Sequence, residues 1–434
     1  MQKRIVCIAF SLVMLSLLAV QAQKRAKYEF KRNLPVYAHQ LIADLDYPLA
    51  WGKSSVKDFD EWRRTARQKV FDCMLLPPPP AADYDVKVLG EEQRDGYKAR
   101  HIEVRLSKYY TVPALLLIPD GKGPFPAINC LHDHGGHLYI GKEKMVRPLA
   151  PKTKEDSLVT KDAEKWIAGL YEGQFVGDYL AKHGYVVFSA DAPMWGERGQ
   201  MEGAKRDKYD MIAGNMMMYG IDLSAYMTYD DLSGTDFLAT LPEVDSERIG
   251  CVGFSMGGYR SWMLSALSDK IKVGVAICWM VTTDEQMSFN YSRTENGGFA
   301  NCFPGLRRWL DYPHIASMAC PKPMLFINGS QDKLFPVPGV EKAFKQMHEV
   351  WDSQKAGQNL ETEIWDVPHS FYLPAQKRAL DFFRKHLSVV GCWLLVFGKY
   401  VRFMRTGEPL CCPRYRAIQT SNQQPTTNNL QPIK

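Results

Sequence analysis

Residues 248–258 read Arg248-Ile249-Gly250-Cys251-Val252-Gly253-Phe254-Ser255-Met256-Gly257-Gly258. Residues 248–254 form a largely apolar run of strand length, and residues 256–267 continue with helix-compatible residues. Gly253 and Gly257 flank the serine in a G-x-S-x-G pattern, removing Cβ atoms where a sharp strand-to-helix turn would crowd them. Such a turn lifts a serine hydroxyl clear of the sheet, and the helix N-terminus beneath it favours developing negative charge. The pattern alone arises by chance in about one chain in seven of this length. Strand before and helix after make Ser255 the predicted nucleophile.

A serine hydroxyl needs a base to become a nucleophile. On a strand–turn–helix nucleophile the partners follow in the order serine, acid, histidine. Asp332 follows the apolar run 323–328 in Asn328-Gly329-Ser330-Gln331-Asp332, and His369 follows the run 361–366 in Asp366-Val367-Pro368-His369. His369 is the predicted base, and Asp332 the acid that orients it and stabilises its cation. Asp366 is the rival acid, placed too near His369 in sequence.

Outward from this centre, strand and helix alternate. Strands are predicted over 84–93, 99–106, 112–119, 125–131, 185–191, 248–254, 273–280, 323–328 and 361–366. Helices are predicted over 175–183, 223–241, 256–267 and 375–387. This rhythm predicts an α/β protein: a mainly parallel central sheet, helices on both faces, and the opening antiparallel strands at one edge. Two longer segments, 138–170 and 192–221, follow strand ends on the side where open sheets bind ligands. Trp195 and Arg198 in the second are expected to line a substrate pocket.

The ends differ from this body. Lys3 and Arg4, the uncharged apolar stretch 5–20 and Val20-Gln21-Ala22 read as a cleaved signal peptide, residues 1–22. The stretch is short of the ~20 apolar residues of a membrane span. The mature protein is therefore expected to be secreted or periplasmic, with no stable membrane span. Residues 23–82 read as a helical extension, with Ser54 or Ser55 capping a helix over 56–76 that Pro77–Pro80 terminate. Residues 83–387 are the predicted catalytic domain. Residues 388–434 read as an atypical, disordered tail.

Hydrophobic residues make up 46% and charged residues 24%, which excludes a disordered or fibrous chain. The net charge of +6 collects at the two ends, through Lys3 and Arg4, and through the tail's Lys399, Arg402, Arg405, Arg414, Arg416 and Lys434 against Glu408. The near-neutral body gives no basis for a nucleic-acid partner. The cysteines form no C-x-x-C pair across the body, so a zinc ribbon or redox motif is absent. Cys130, Cys251 and Cys278 read as small core residues, and Cys302 with Cys320 as a possible disulfide.

The oxyanion of an acyl transfer must meet amides already aimed at it. One is expected from Met256, and the second from Gly136, with Gly135 as the alternative, in the loop His132-Asp133-His134-Gly135-Gly136-His137. That loop also admits a metal reading through its histidines. Metallo-β-lactamase-like hydrolases place an Asp directly before the last His, however, and Gly136 stands there. No metal and no cofactor are expected.

Over about residues 84–386 the chain resembles the dienelactone hydrolase-like and acetyl xylan esterase-like branch of the α/β-hydrolase superfamily. The resemblance rests on Leu180-Ala181-Lys182-His183-Gly184-Tyr185-Val186-Val187, Val244-Asp245-Ser246-Glu247-Arg248-Ile249-Gly250, the GFSMGG turn, Gly329-Ser330-Gln331-Asp332 and Pro368-His369. The His132–Gly136 loop with Gly141-Lys142-Glu143-Lys144 looks like a group of secreted bacterial esterase-like hydrolases. It implies the α/β-hydrolase fold and a serine carboxylester hydrolase acting on small-molecule or carbohydrate esters. Arg198-Gly199-Gln200 matches the R-G-Q of acetyl xylan and cephalosporin deacetylases, whereas Met256 replaces their Gln and Ser370 their Glu. Dienelactone hydrolases themselves carry a Cys nucleophile. Prolyl-oligopeptidase-like peptidases share these core elements but carry a large propeller, which the residues before Tyr84 are too few to form. A binding protein that keeps the fold without turnover is a further alternative. Nothing in the sequence fixes an oligomeric state.

Overall fold

The computed structural model describes residues 29–31, 34–199, 206–287, 298–387, 393–397 and 400–404. The predicted signal peptide and most of the tail lie outside them. The chain divides into a unit ending at Ser388 and a second over Val389–Lys434. In the second, Trp393–Phe397 pairs antiparallel with Tyr400–Met404.

The first unit is built on a nine-stranded sheet. Its strands are β1 (Lys87–Arg94), β2 (Tyr97–Ser107), β3 (Tyr110–Pro119), β4 (Phe125–Leu131), β5 (Val186–Ala190), β6 (Val244–Phe254), β7 (Ile271–Ile277), β8 (Met324–Gly329) and β9 (Leu360–Trp365). The spatial order is β9-β8-β7-β6-β4-β5-β3-β2-β1. Neighbours from β5 to β9 run parallel, and β1, β2 and β3 add antiparallel at one edge. This is the α/β architecture the alternation predicts. The central strands β4, β6, β7 and β8 are apolar along most of their length because both faces are covered. Parallel strands all end on one side, so the loops after β4, β5, β6, β8 and β9 share one rim.

The extension joins the core through the helix Phe59–Asp72, which buries Trp62, Ala66 and Val70 among Tyr259, Trp262 and Trp351. Its cap is Asp58, whose carboxylate accepts the Glu61 amide at 2.8 Å, so the helix starts later than Ser54 or Ser55 would place it. Residues 138–170 contain the helix Lys154–Leu170, opened by a reciprocal Thr153–Asp156 cap. A further amphipathic helix, Val337–Ser353, lies between β8 and β9. Cys302 is exposed and Cys320 is buried in the core, and no disulfide joins the two. Among the described residues no helix is long and apolar enough to cross a membrane.

Candidate active site

Ser255 sits between β6 and the helix Met256–Leu267 with φ 55° and ψ −124°, a backbone an L-residue rarely adopts. Crowding explains both flanking glycines. A Cβ on Gly253 would stand 2.1 Å from the Gly257 carbonyl oxygen, and one on Gly257 would stand 1.9 Å from the Leu131 oxygen at the end of β4. The Ser255 amide donates to Ile277 at 2.9 Å, pinning the turn to β7.

Asp332 and His369 meet. His369 Nδ1 lies 2.6 Å from Asp332 Oδ2, with the carboxylate fully buried and the imidazole 21% exposed. The other carboxylate oxygen accepts the Leu334 amide at 2.9 Å. The loops carrying the pair are pressed together, since a Cβ on Gly329 would meet the Val367 oxygen at 2.3 Å. The ring of His369 packs on Phe254, the residue before Ser255, with centroids 4.6 Å apart. Asp366 is engaged elsewhere, accepting from Ser330 Oγ and Gln331 Nε2, which hold its carboxyl below the usual range. Burial opposes charge on His369, but the Asp332 hydrogen bond and charge outweigh it, with help from Cys278, and raise its pKa to about 10.

Cys278 was legible only as a core residue. It is buried as expected, yet it stands just past β7 with φ 51°, and its Sγ contacts the Ser370 carbonyl at 3.5 Å. Cys278, Asp332 and His369 each place a ligand-type atom within 4.8 Å of the others.

The loop after β4 is held from several sides. Lys144, wholly buried, donates to the carbonyls of Asp133 at 3.2 Å and His134 at 2.9 Å. Tyr171 and Trp166 donate to Asp133 Oδ2 at 2.6 and 3.2 Å. Gly135 and Gly136 have φ 61° and 66°, and a Cβ on Gly135 would run into the Trp166 ring at 2.2 Å. The Gly136 amide donates to His134 Nδ1 at 3.0 Å, which engages it within its own loop.

The profile of the Abhydrolase family matches residues 27–357, which contain the serine turn, the loop after β4 and Asp332. This chain belongs to the Abhydrolase family. A Bacillus subtilis (strain 168) protein named as a hydrolase, YtaP, is 29% identical over 294 residues, covering 68% of this chain and 89% of its own. Among solved structures, a Bacteroides fragilis protein described as an acetyl xylan esterase superposes with a TM-score of 0.58 at 20% identity, covering 76% of this chain and 81% of its own. A glucuronoyl esterase from Solibacter usitatus superposes at 0.57 and 15% identity, covering 80% and 98%. Likeness at such identity speaks for the fold.

In this Abhydrolase family member, Trp195 and Arg198 are not placed as pocket residues. Trp195 is fully buried, donates to the His134 carbonyl at 3.1 Å and packs its ring against His134 and Tyr209. Arg198 donates to the Asp191 carbonyl at 3.0 Å and pairs with Asp230 at 2.5 Å, beneath Tyr110 and Tyr226. Both side chains are spent on contacts within the protein, Trp195 by packing and Arg198 by pairing with Asp230; Gln200 lies outside the described residues. The loop histidines do not converge on a metal either. His132 Nε2 accepts the Ala192 amide at 3.0 Å, His134 holds Gly136, and His137 Nε2 meets Asp162 at 2.9 Å while its ring stacks on Trp166. Burial and the nearby Arg260 and Lys144 charges keep the His132 pKa well below its ordinary value. The Gly141–Lys144 motif is structural at its centre: Lys142 Nζ is held by Asp191, Glu143 and Glu197 at 2.9, 2.8 and 2.5 Å. It borders a cavity of about 350 Å³ that none of Ser255, Asp332 and His369 lines.

Proposed function

We propose that this Abhydrolase family member is a serine ester hydrolase with Ser255, His369 and Asp332 as its catalytic relay. The observation that carries the reading is the strained Ser255 turn at the end of β6, on the same rim as the His369–Asp332 pair beyond β9 and β8. His369 takes the Ser255 proton as Oγ attacks the ester carbonyl. The Met256 amide and an amide of the loop after β4 receive the oxyanion; with Gly136 engaged by His134, Gly135 is the better second donor. Collapse expels the alcohol, protonated by His369, and leaves an acyl-enzyme. Water, deprotonated by His369, then releases the acid and restores Ser255.

Small acyl esters on carbohydrate are the proposed substrates, supported by the esterase names of the superposing structures. The leader 1–22 supports export to a periplasm or the medium. Replacing Ser255 by Ala should abolish hydrolysis of p-nitrophenyl acetate and labelling by a fluorophosphonate while the circular dichroism spectrum stays unchanged. Retained turnover in that variant sinks the assignment. Release of acetate from acetylated xylo-oligosaccharides, against aryl esters and short peptides, tests the substrate class.

A further inference from the structure

We propose that Cys278, Asp332 and His369 form a binding site for a thiophilic divalent cation, zinc by its ligand chemistry, whose occupation silences the hydrolase. Sulfur, nitrogen and oxygen donors from three successive strand-end loops converge within 4.8 Å of one another. Zinc bonds of about 2.0–2.3 Å in a tetrahedron put ligand atoms roughly 3.3–3.8 Å apart. Side-chain shifts of about 1 Å close the cluster on an ion, with water in the fourth position.

The donor set selects the ion. Calcium and magnesium require oxygen cages, and only one oxygen ligand is offered. A thiolate and a carboxylate neutralise a doubly charged ion, which removes the main cost of burying it. Cys278 and Asp332 are buried and the imidazole is partly exposed, so the ion enters past His369. The backbone that carries the thiol is also held: Cys278 keeps a positive φ and its amide donates to the Ile327 carbonyl at 2.7 Å. Non-glycine residues in that region persist where surrounding structure holds them, and such positions cluster at functional sites.

Binding releases the thiol proton and the extra proton of the His369 imidazolium to solvent, and it replaces the Asp332–His369 hydrogen bond with two metal bonds. The imidazole is then neutral, with one lone pair committed to the ion. Its other nitrogen then carries the proton, or is itself the ligand. In either case it cannot accept the Ser255 proton. The silencing rests on the relay proposed above; the binding does not.

The test uses the whole protein and Co2+ as a spectroscopic substitute, with Zn2+ as competitor. Wild type should show a sulfur-to-cobalt charge-transfer band that zinc displaces. The band should persist in Ser255→Ala and vanish in Cys278→Ser, Cys278→Ala and His369→Ala, with folding checked by circular dichroism. Zinc should inhibit p-nitrophenyl acetate hydrolysis in wild type and lose at least tenfold in potency in either Cys278 variant, each compared with its own metal-free rate. No band in wild type, or a band surviving the loss of Cys278, overturns the site. A Cys278-dependent band with undiminished turnover overturns the silencing. In that event the Ser255→Ala rate tells whether the relay reading fell with it.

Discussion

His369 and Asp332 share a 2.6 Å hydrogen bond between Nδ1 and a wholly buried carboxylate oxygen. Burial favours neutral imidazole, the carboxylate favours imidazolium, and the carboxylate wins, raising His369 to about 10. A base must be neutral to act, so kcat/KM should climb from neutrality into the alkaline range. In Asp332→Asn the carboxylate no longer opposes burial, and the acid limb should move below the ordinary 6.5. The rate should also fall on the order of 10⁴-fold, because an amide no longer selects the productive tautomer. Stability follows the same sign. A raised histidine contributes fully below its unfolded value and loses that contribution as pH rises through its folded value. The urea-midpoint gap between wild type and Asp332→Asn should therefore be wider at pH 6 than at pH 10; a constant gap contradicts the coupling.

The glycine after the nucleophile is set by close approach of two chain segments. A methyl on Gly257 would lie 1.9 Å from the Leu131 oxygen, a backbone atom at the end of a central strand that has little freedom to retreat. Gly257→Ala should cost about 3 kcal/mol or more, the upper range for overpacking. It should also displace the Met256 amide and lower kcat. Chemical denaturation and turnover measured on one preparation check both. Unchanged stability would show that the elbow is looser than its contacts imply.

The strand-end residues were legible because their chemistry and order are local in sequence: a G-x-S-x-G turn, then an Asp and a His each just past an apolar run. Position across strands was not legible. Cys278 reads as one more apolar residue of the strand predicted over 273–280, and only the pairing of β7 with β6 and β8 sets its sulfur beside His369. Trp195 and Arg198 fail as pocket residues for the same reason, since nothing in 192–221 tells an inward ring from a rim one. The Lys154–Leu170 helix did leave a signal, Thr153 with Asp156, within a stretch whose polarity reads as loop. Val340, Ala343, Phe344, Met347 and Trp351 likewise repeat at helical spacing along Val337–Ser353.

Arg260, on the helix that follows the nucleophile, grips Asp231 through Nε at 2.9 Å and Nη2 at 2.7 Å, both side chains being buried. Burial still leaves the Asp231 pKa above its ordinary value despite Arg260. Arg260→Leu strands a buried carboxylate and should cost about 3–5 kcal/mol. Replacing Asp231 by Leu as well should restore most of that loss, because two apolar groups need no partner. Guanidinium denaturation of the two single variants and the double variant measures the coupling, and additive losses would refute it.

Lys144 is the test of whether the loop after β4 is positioned or merely packed. Its ammonium is wholly buried, bonds the Asp133 and His134 carbonyls, lies 3.6 Å from Asp133 Oδ1 and sits over the Trp166 ring at 5.0 Å. Burial lowers its pKa, and the attraction of Asp133 only partly opposes this. Lys144→Met keeps the stem's volume and removes the donor, leaving two buried carbonyls without it. A destabilisation of about 2–4 kcal/mol follows from the unsatisfied groups. If those carbonyls set the direction of the Gly135 amide, kcat should fall by roughly 10–100-fold with KM little changed, since that amide is used only when the oxyanion forms. A stability loss with kcat intact would make Lys144 a packing residue and move the second oxyanion donor out of this loop.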